Sequence, residues 1–182
     1  MKVLVAYAGK TGTTKKCAEY IKMISTEEVA LYDAAAGGEV NIDEYDIVIM
    51  GGSIRIGLMD NSLRKFAKNN FDGKLVGLFV VCSIPENAEK YLRTNFPDIE
   101  PFAESYFGGE LSPRKVKGIE KFVIKKALKE SSKKNKPLPE VNYDEIKNFL
   151  EKLFLEYYSI NKDDAAIRRM EIKKQDSSLA MD

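Results

Sequence analysis

Short apolar runs alternate with stretches of helical spacing along most of this chain. KVLVAY (2–7) is rich in Val and Leu and suits a strand buried on both faces. In TKKCAEYIKMI (14–24) the apolar positions Cys17, Ala18, Ile21 and Ile24 recur as on one face of a helix. VALYD (29–33) predicts a second strand, and YDIVIMGGS (45–53) a third that ends in two glycines. NSLRKFAKNN (61–70) predicts a helix with Asp60 or Asn61 as its N-cap. KLVGLFVVCS (74–83) is the fourth and most hydrophobic strand, and PENAEKYLRTN (85–95) a helix opening on Pro and acidic residues. PFAESYFGGEL (101–111) holds a fifth strand. VNYDEIKNFLEKLFLEYY (141–158) is an amphipathic helix with Ile146, Phe149, Leu150, Leu153 and Phe154 on one side.

This alternation predicts an α/β domain over residues 1–158, a doubly wound parallel sheet with helices on both faces. Residues 159–182 are polar and read as a frayed or disordered extension. In such sheets ligands bind beyond the carboxyl ends of the strands. Three strand ends stand out: Ala8–Thr14, Gly51–Gly57 and Cys82–Ile84.

Composition narrows the chemistry. The chain has no His, which excludes His-based triads and His-containing zinc sites. If it is an enzyme, a cofactor carries the reaction. Two cysteines, Cys17 and Cys82, form neither a disulfide framework nor a metal-ligand pair and read as reduced thiols, so no metal is expected. MKVLVAYAGK reads as a first strand rather than a signal peptide, and no apolar run reaches the ~18 residues of a membrane span. These features place the chain in the cytoplasm.

The first strand end, Gly9-Lys10-Thr11-Gly12-Thr13-Thr14, is too short in glycine for a Walker loop: the required first glycine falls on Leu4, inside the strand. A dinucleotide fingerprint fails for want of a third glycine. A short loop entering a helix directly suits one terminal phosphate, held by first-turn N–H groups and threonine hydroxyls. The structural alternative is a Thr-rich helix start that caps itself. T-G-x-T at this place, Thr11, Gly12 and Thr14, resembles the phosphate loop of flavodoxins; the preceding hydroxyl position of that pattern falls on Gly9. The resemblance implies FMN as cofactor and a five-stranded sheet of order 2-1-3-4-5.

GGSIRIG (51–57) follows an apolar strand, and its glycines read as room for a flat ligand against the backbone. With GELSPRKVKGIEKFVIKKALK it resembles the menaquinone-dependent protoporphyrinogen dehydrogenases, flavodoxin-like enzymes of haem biosynthesis with an S-I-R loop and an added segment after strand five. Ser53, Ile54, Arg55 and Gly57 match that loop, and Ile56 stands where the family tends to have an aromatic. The resemblance implies that the flavin ring lies between residues 53–57 and Cys82, Ser83 and Ile84, with Ile54, Ile56 and Ile84 packing on it. Arg55 reads as a solvated cation, as a partner for the reduced flavin's charge, or as a fork for a substrate carboxylate. Cys82 reads as a buried strand-end residue rather than a nucleophile, since no base stands near. The partner implied is a quinone, or a redox protein if the chain is an electron carrier.

Charge is uneven. Residues 112–137 hold ten Lys/Arg against two acids, +8, and the remainder is −7. On a helical wheel Val116, Ile119, Val123 and Ala127 share a face that Phe122, Ile124 and Leu128 widen, with Lys121, Lys125 and Lys129 opposite. Three readings stay open: an added basic helix packed on the domain, an interfacial helix held by anionic lipid through residues 114–136, and a nucleic-acid contact. The lipid reading places the protein peripherally at the inner face of the cell membrane; the acidic body argues against nucleic acid.

Overall fold

Residues 1–83, 85–110 and 139–162 are described by the structure, a computed structural model, together with the single positions 125, 129, 167 and 170. Five parallel strands form one sheet among the described residues: β1 (Lys2–Ala8), β2 (Glu28–Asp33), β3 (Ile47–Ser53), β4 (Leu75–Val81) and β5 (Ala103–Tyr106). Their order is β2-β1-β3-β4-β5, as the resemblance implied. Helix α1 (Thr13–Ile24) follows β1, α2 (Asn61–Phe66) follows β3, α3 (Ala88–Asn95) follows β4, and α4 (Tyr143–Ile160) closes the fold.

Successive side chains of a strand face opposite sides, so each apolar strand feeds two cores. Val3, Val5 and Tyr7 of β1 join Ile47, Ile49 and Phe79 in the core beneath α1 and α4. Leu4, Ala6 and Ala8 join Val48, Met50 and Leu78 in the core beneath α2 and α3. Burial on both faces explains why these strands read as continuous apolar runs. Helix α4 starts where Asn142 accepts the Glu145 N–H at 3.1 Å and buries Ile146, Phe149, Leu150, Leu153, Phe154 and Tyr158.

The two glycines that end β3 have a different cause from the one expected. A Cβ at Gly51 would lie 2.4 Å from the Phe79 ring, and one at Gly52 would lie 2.9 Å from the Ala8 carbonyl oxygen. Phe79 occupies the first space and stacks on Phe107, with centroids 4.6 Å apart. Both glycines serve core packing rather than access for a flat ligand.

Helix α2 ends at Phe66, not at residue 70. Asn69 Nδ2 donates to the Phe66 carbonyl at 2.7 Å, and Asn70 Oδ1 accepts from the Asp72 N–H, so both asparagines take backbone partners outside a helix. The turn Pro85–Asn87 is a 3₁₀ turn, and α3 proper begins at Ala88. Beyond residue 162, Ile167 and Met170 are helical and pack half-buried against the first core, and the rest of the extension expected over 159–182 lies outside the described residues. The basic segment 112–137 lies outside the described residues except for Lys125 and Lys129, which are helical and exposed.

Candidate functional site

Strands β1, β3 and β4 end level with one another, Ala8 beside Gly52 and Ser53 beside Val81. The three loops singled out in the sequence therefore share one edge of the sheet.

After β1 the chain turns at Gly12, whose φ of 85° lies in the left-handed region, and enters α1. No side chain caps this helix, and its first turn carries no acid. The first helical bond runs from the Lys16 N–H to the Gly12 carbonyl at 3.0 Å. The N–H groups of Thr13, Thr14 and Lys15 precede it and have no intrahelical acceptor. The dipole favours negative charge at this end, and here the chain supplies only Lys15 and Lys16. Both are drawn aside, Lys15 toward Glu19 at 3.7 Å and Lys16 toward Glu110 at 2.9 Å. The hydrogen bond to Glu110 holds the Lys16 ammonium above its ordinary pKa.

Thr14 is 1 % exposed, and its Oγ1 is buried without a hydrogen-bond partner. An unpaired buried hydroxyl costs about 1–3 kcal/mol, a cost that any group accepting or donating a hydrogen bond there would offset. This hydroxyl excludes the self-capping alternative and gives the cradle the donor set for a phosphate. Gly9 belongs to the same arrangement. A Cβ there would lie 2.4 Å from Thr14 Oγ1 and 3.4 Å from Ser53 Oγ. Thr14 fills the space a side chain at position 9 would need, and Ser53 brings a hydroxyl close to the same point. Thr11 is half-buried beside it and Lys10 is exposed.

The loop after β3 is a tight hairpin. Arg55 and Leu58 exchange backbone bonds of 2.8 and 3.1 Å around Ile56 (φ 50°) and Gly57 (φ 81°). Left-handed values at both central residues favour Asn or Gly, and Ile is a costly occupant of the first. Ile56 is 98 % exposed. Ile54 instead packs half-buried on the second core. The hairpin is fixed by Asn95 at the end of α3, 3 % exposed, whose Oδ1 accepts the Met59 N–H at 2.7 Å. Its Nδ2 donates to the Gly57 carbonyl at 3.3 Å and the Tyr91 carbonyl at 2.8 Å. Nothing in the local sequence singles this asparagine out.

Asp60 caps α2, its Oδ1 accepting the Ser62 N–H at 3.0 Å and the Ser62 hydroxyl at 2.8 Å. The Ser62 N–H, then its hydroxyl, hold the Asp60 carboxyl below the usual range, and the positive charges of Lys10 and Arg64 add to this. A cleft of about 270 Å³ lies between the two loops, lined by Gly9 and Lys10 on one side and Ser53, Arg55, Ile56 and Arg64 on the other.

At the third strand end the Cys82 N–H donates to the Gly108 carbonyl at 3.0 Å, and the Cys82 side chain packs half-buried on the second core. Ser83 is half-buried, and Ile84 lies outside the described residues. Cys17 is fully buried in α1, and burial pushes its thiol up to about 12, which makes it inert. No group of three or more His, Cys, Asp or Glu placed to hold a metal occurs among the described residues, and no helix among them is long and apolar enough to cross a membrane.

No curated protein matches the chain by sequence. Among solved structures it is similar to a Streptococcus pneumonia TIGR4 flavodoxin, at 16% identity over 86% of this chain and 99% of that one, with a TM-score of 0.48. It is similar to a Lactobacillus acidophilus flavoprotein in complex with FMN, at 14% identity over 58% and 92%, TM-score 0.46. A Fusobacterium nucleatum flavodoxin bound to flavin mononucleotide gives 14% identity over 73% and 98%, TM-score 0.44. The model of the flavodoxin domain matches residues 4–137. That span takes in β2 to β5, all but the first two residues of β1, and every loop of the site, and on it the chain belongs to the flavodoxin domain family.

Proposed function

We propose that this chain binds FMN and works as an oxidoreductase, with the phosphate on the cradle of Thr11, Gly12, Thr13 and Thr14. The observation that carries the reading is the buried, unpartnered Thr14 hydroxyl at the uncapped start of α1 in a flavodoxin domain. Ser53, close to the same point, adds a hydroxyl in place of the one Gly9 lacks. FMN when bound supplies the electron-accepting and electron-donating chemistry. The chain's own part is to hold the phosphate, orient the ring beside the hairpin at residues 53–57 and the Cys82–Ser83 turn, and present Arg55 as the candidate polar group.

The S-I-R loop and the basic segment support a finer assignment, a protoporphyrinogen dehydrogenase-like activity with a quinone as acceptor. Lys125 and Lys129, helical and exposed one turn apart, suit a basic face directed at anionic lipid on the cytoplasmic side of a membrane. Turnover of protoporphyrinogen with a menaquinone analogue by the FMN-loaded protein tests this; its absence removes the assignment. Sedimentation with anionic liposomes tests the surface, and lipid binding that survives charge reversal of Lys121, Lys125 and Lys129 overturns it.

The net −7 outside residues 112–137 favours a second reading, a flavodoxin-type electron carrier that docks on basic redox proteins. Electron delivery to such a protein that slows steeply with salt, without turnover of a small substrate, selects it.

A further inference from the structure

A buried asparagine has to place an acceptor and two N–H donors. Asn95, the last residue of α3, is 3 % exposed and places all three. One donor goes to its own helix, the Tyr91 carbonyl at 2.8 Å, which sets the amide plane relative to α3. The other two groups leave the helix for a segment 36 to 38 residues earlier. Oδ1 accepts the Met59 N–H at 2.7 Å, and the second donor reaches the Gly57 carbonyl at 3.3 Å.

These two bonds grip the hairpin on either side of Leu58. The Leu58 N–H donates to the Arg55 carbonyl at 3.1 Å, so the peptide between Gly57 and Leu58 is bonded through both its oxygen and its N–H. Met59 is itself 3 % exposed in the second core, which ties down the hairpin's exit. The hairpin follows β3, α3 follows β4 and the turn after it, and β3 pairs with β4. Asn95 therefore joins the segments that follow two neighbouring strands. None of its bonds goes to the cradle after β1. The left-handed φ of Ile56 gives the bridge a further task, because a strained tip keeps its shape only where its surroundings over-determine it.

We propose that Asn95 is a positioning residue for the flavin ring. It fixes the hairpin that carries Arg55 and Ile56 relative to α3, and so to the turn after β4. Through that spacing it sets how tightly and at what angle the ring is held, while the phosphate is left to the cradle. This role rests on the FMN reading and deepens it.

Fluorescence titration with FMN, and the visible circular dichroism of the flavin at saturation, test it. Asn95→Ser keeps a donor for the Tyr91 carbonyl and reaches neither Gly57 nor Met59. Asn95→Asp keeps the acceptor for the Met59 N–H and loses the donor to Gly57. Each variant that folds, by its far-ultraviolet spectrum, binds FMN about 10-fold more weakly than the parent, the worth of one buried hydrogen bond. At saturation its flavin dichroism differs from the parent's, because the ring is held at another angle. An asparagine that served the fold alone would move only the stability of the chain. A folded variant with the parent's affinity, or with the parent's dichroism, therefore overturns the proposal. Should neither variant fold, amide exchange in the parent decides. The Met59 N–H has Asn95 as its acceptor, and FMN slows its exchange; unchanged exchange overturns the proposal. A parent that takes up no FMN fails the cofactor reading and the role of Asn95 together, whereas indifferent variants fail the role of Asn95 alone.

Discussion

The loops after β1 and β3 meet at one edge of the sheet and solve opposite problems. The first turns its polar groups inward and leaves them unpaired: the N–H groups opening α1 and the Thr14 hydroxyl. The second pairs its backbone with care, through the Arg55–Leu58 bonds and the two bonds from Asn95 to Met59 and Gly57, and leaves Ile56 exposed. One presents polar groups at the start of a helix; the other is a hydrogen-bonded mount for Arg55 and Ile56. An unmade hydrogen bond in the first, and a strained residue in the second, are both costs to the folded chain.

The sharpest way to break the contrast is Asn95→Leu. It strips the buried Met59 N–H of its acceptor and removes both amide donors, and we expect a loss of about 3 kcal/mol in denaturant unfolding. Amide exchange at Leu58 and Met59 rises, while that of α1 stays as it was. Equal acceleration in both loops would mean that they are not separately supported.

Thr14→Val follows, and the comparison gives its two effects opposite signs. Without ligand it removes an unpaired buried hydroxyl at nearly constant shape, and stability rises by about 1 kcal/mol. FMN affinity falls about 10-fold or more with the lost charge-assisted bond. Thermal unfolding and fluorescence titration read the two. Ile56→Asn places a residue suited to the left-handed turn, and we expect a gain of about 1 kcal/mol in stability with no change at the cradle.

The smallest effect concerns pH. The folded Asp60 carboxyl sits below its unfolded value, so its contribution is present above about pH 3.9 and is lost as pH falls through the lowered folded value. Asp60→Ala therefore costs about 1 kcal/mol near neutrality, and the gap from the parent narrows in acid. A gap that is constant with pH would assign the cap to something other than charge.

The same contrast decides what was legible in the sequence. The cradle was legible because its chemistry is local: Gly12 and the threonines sit within six residues, between a strand and a helix that both read clearly. The strand order followed from the resemblance those residues carry. The hairpin was only half legible. SIRIG announced a loop, but its geometry depends on Asn95, whose side chain reaches back to Met59 and Gly57 from another helix. The glycines Gly51 and Gly52 misled for the same reason, because Phe79 and Ala8, their neighbours across the sheet, determine their use. Nothing in the sequence sets Arg64 apart from the other cations of its helix, and only the approach of β1's loop brings Lys10 to act on the same carboxylate.

The central claim is that a phosphate is gripped where β1 gives way to α1. Parallel titrations of the unloaded chain with FMN and with riboflavin, which lacks only that phosphate, address it most directly. The cradle predicts FMN binding tighter by about 100-fold or more, from several charge-assisted bonds acting together. Equal affinities for the two, or no binding of either, would contradict it.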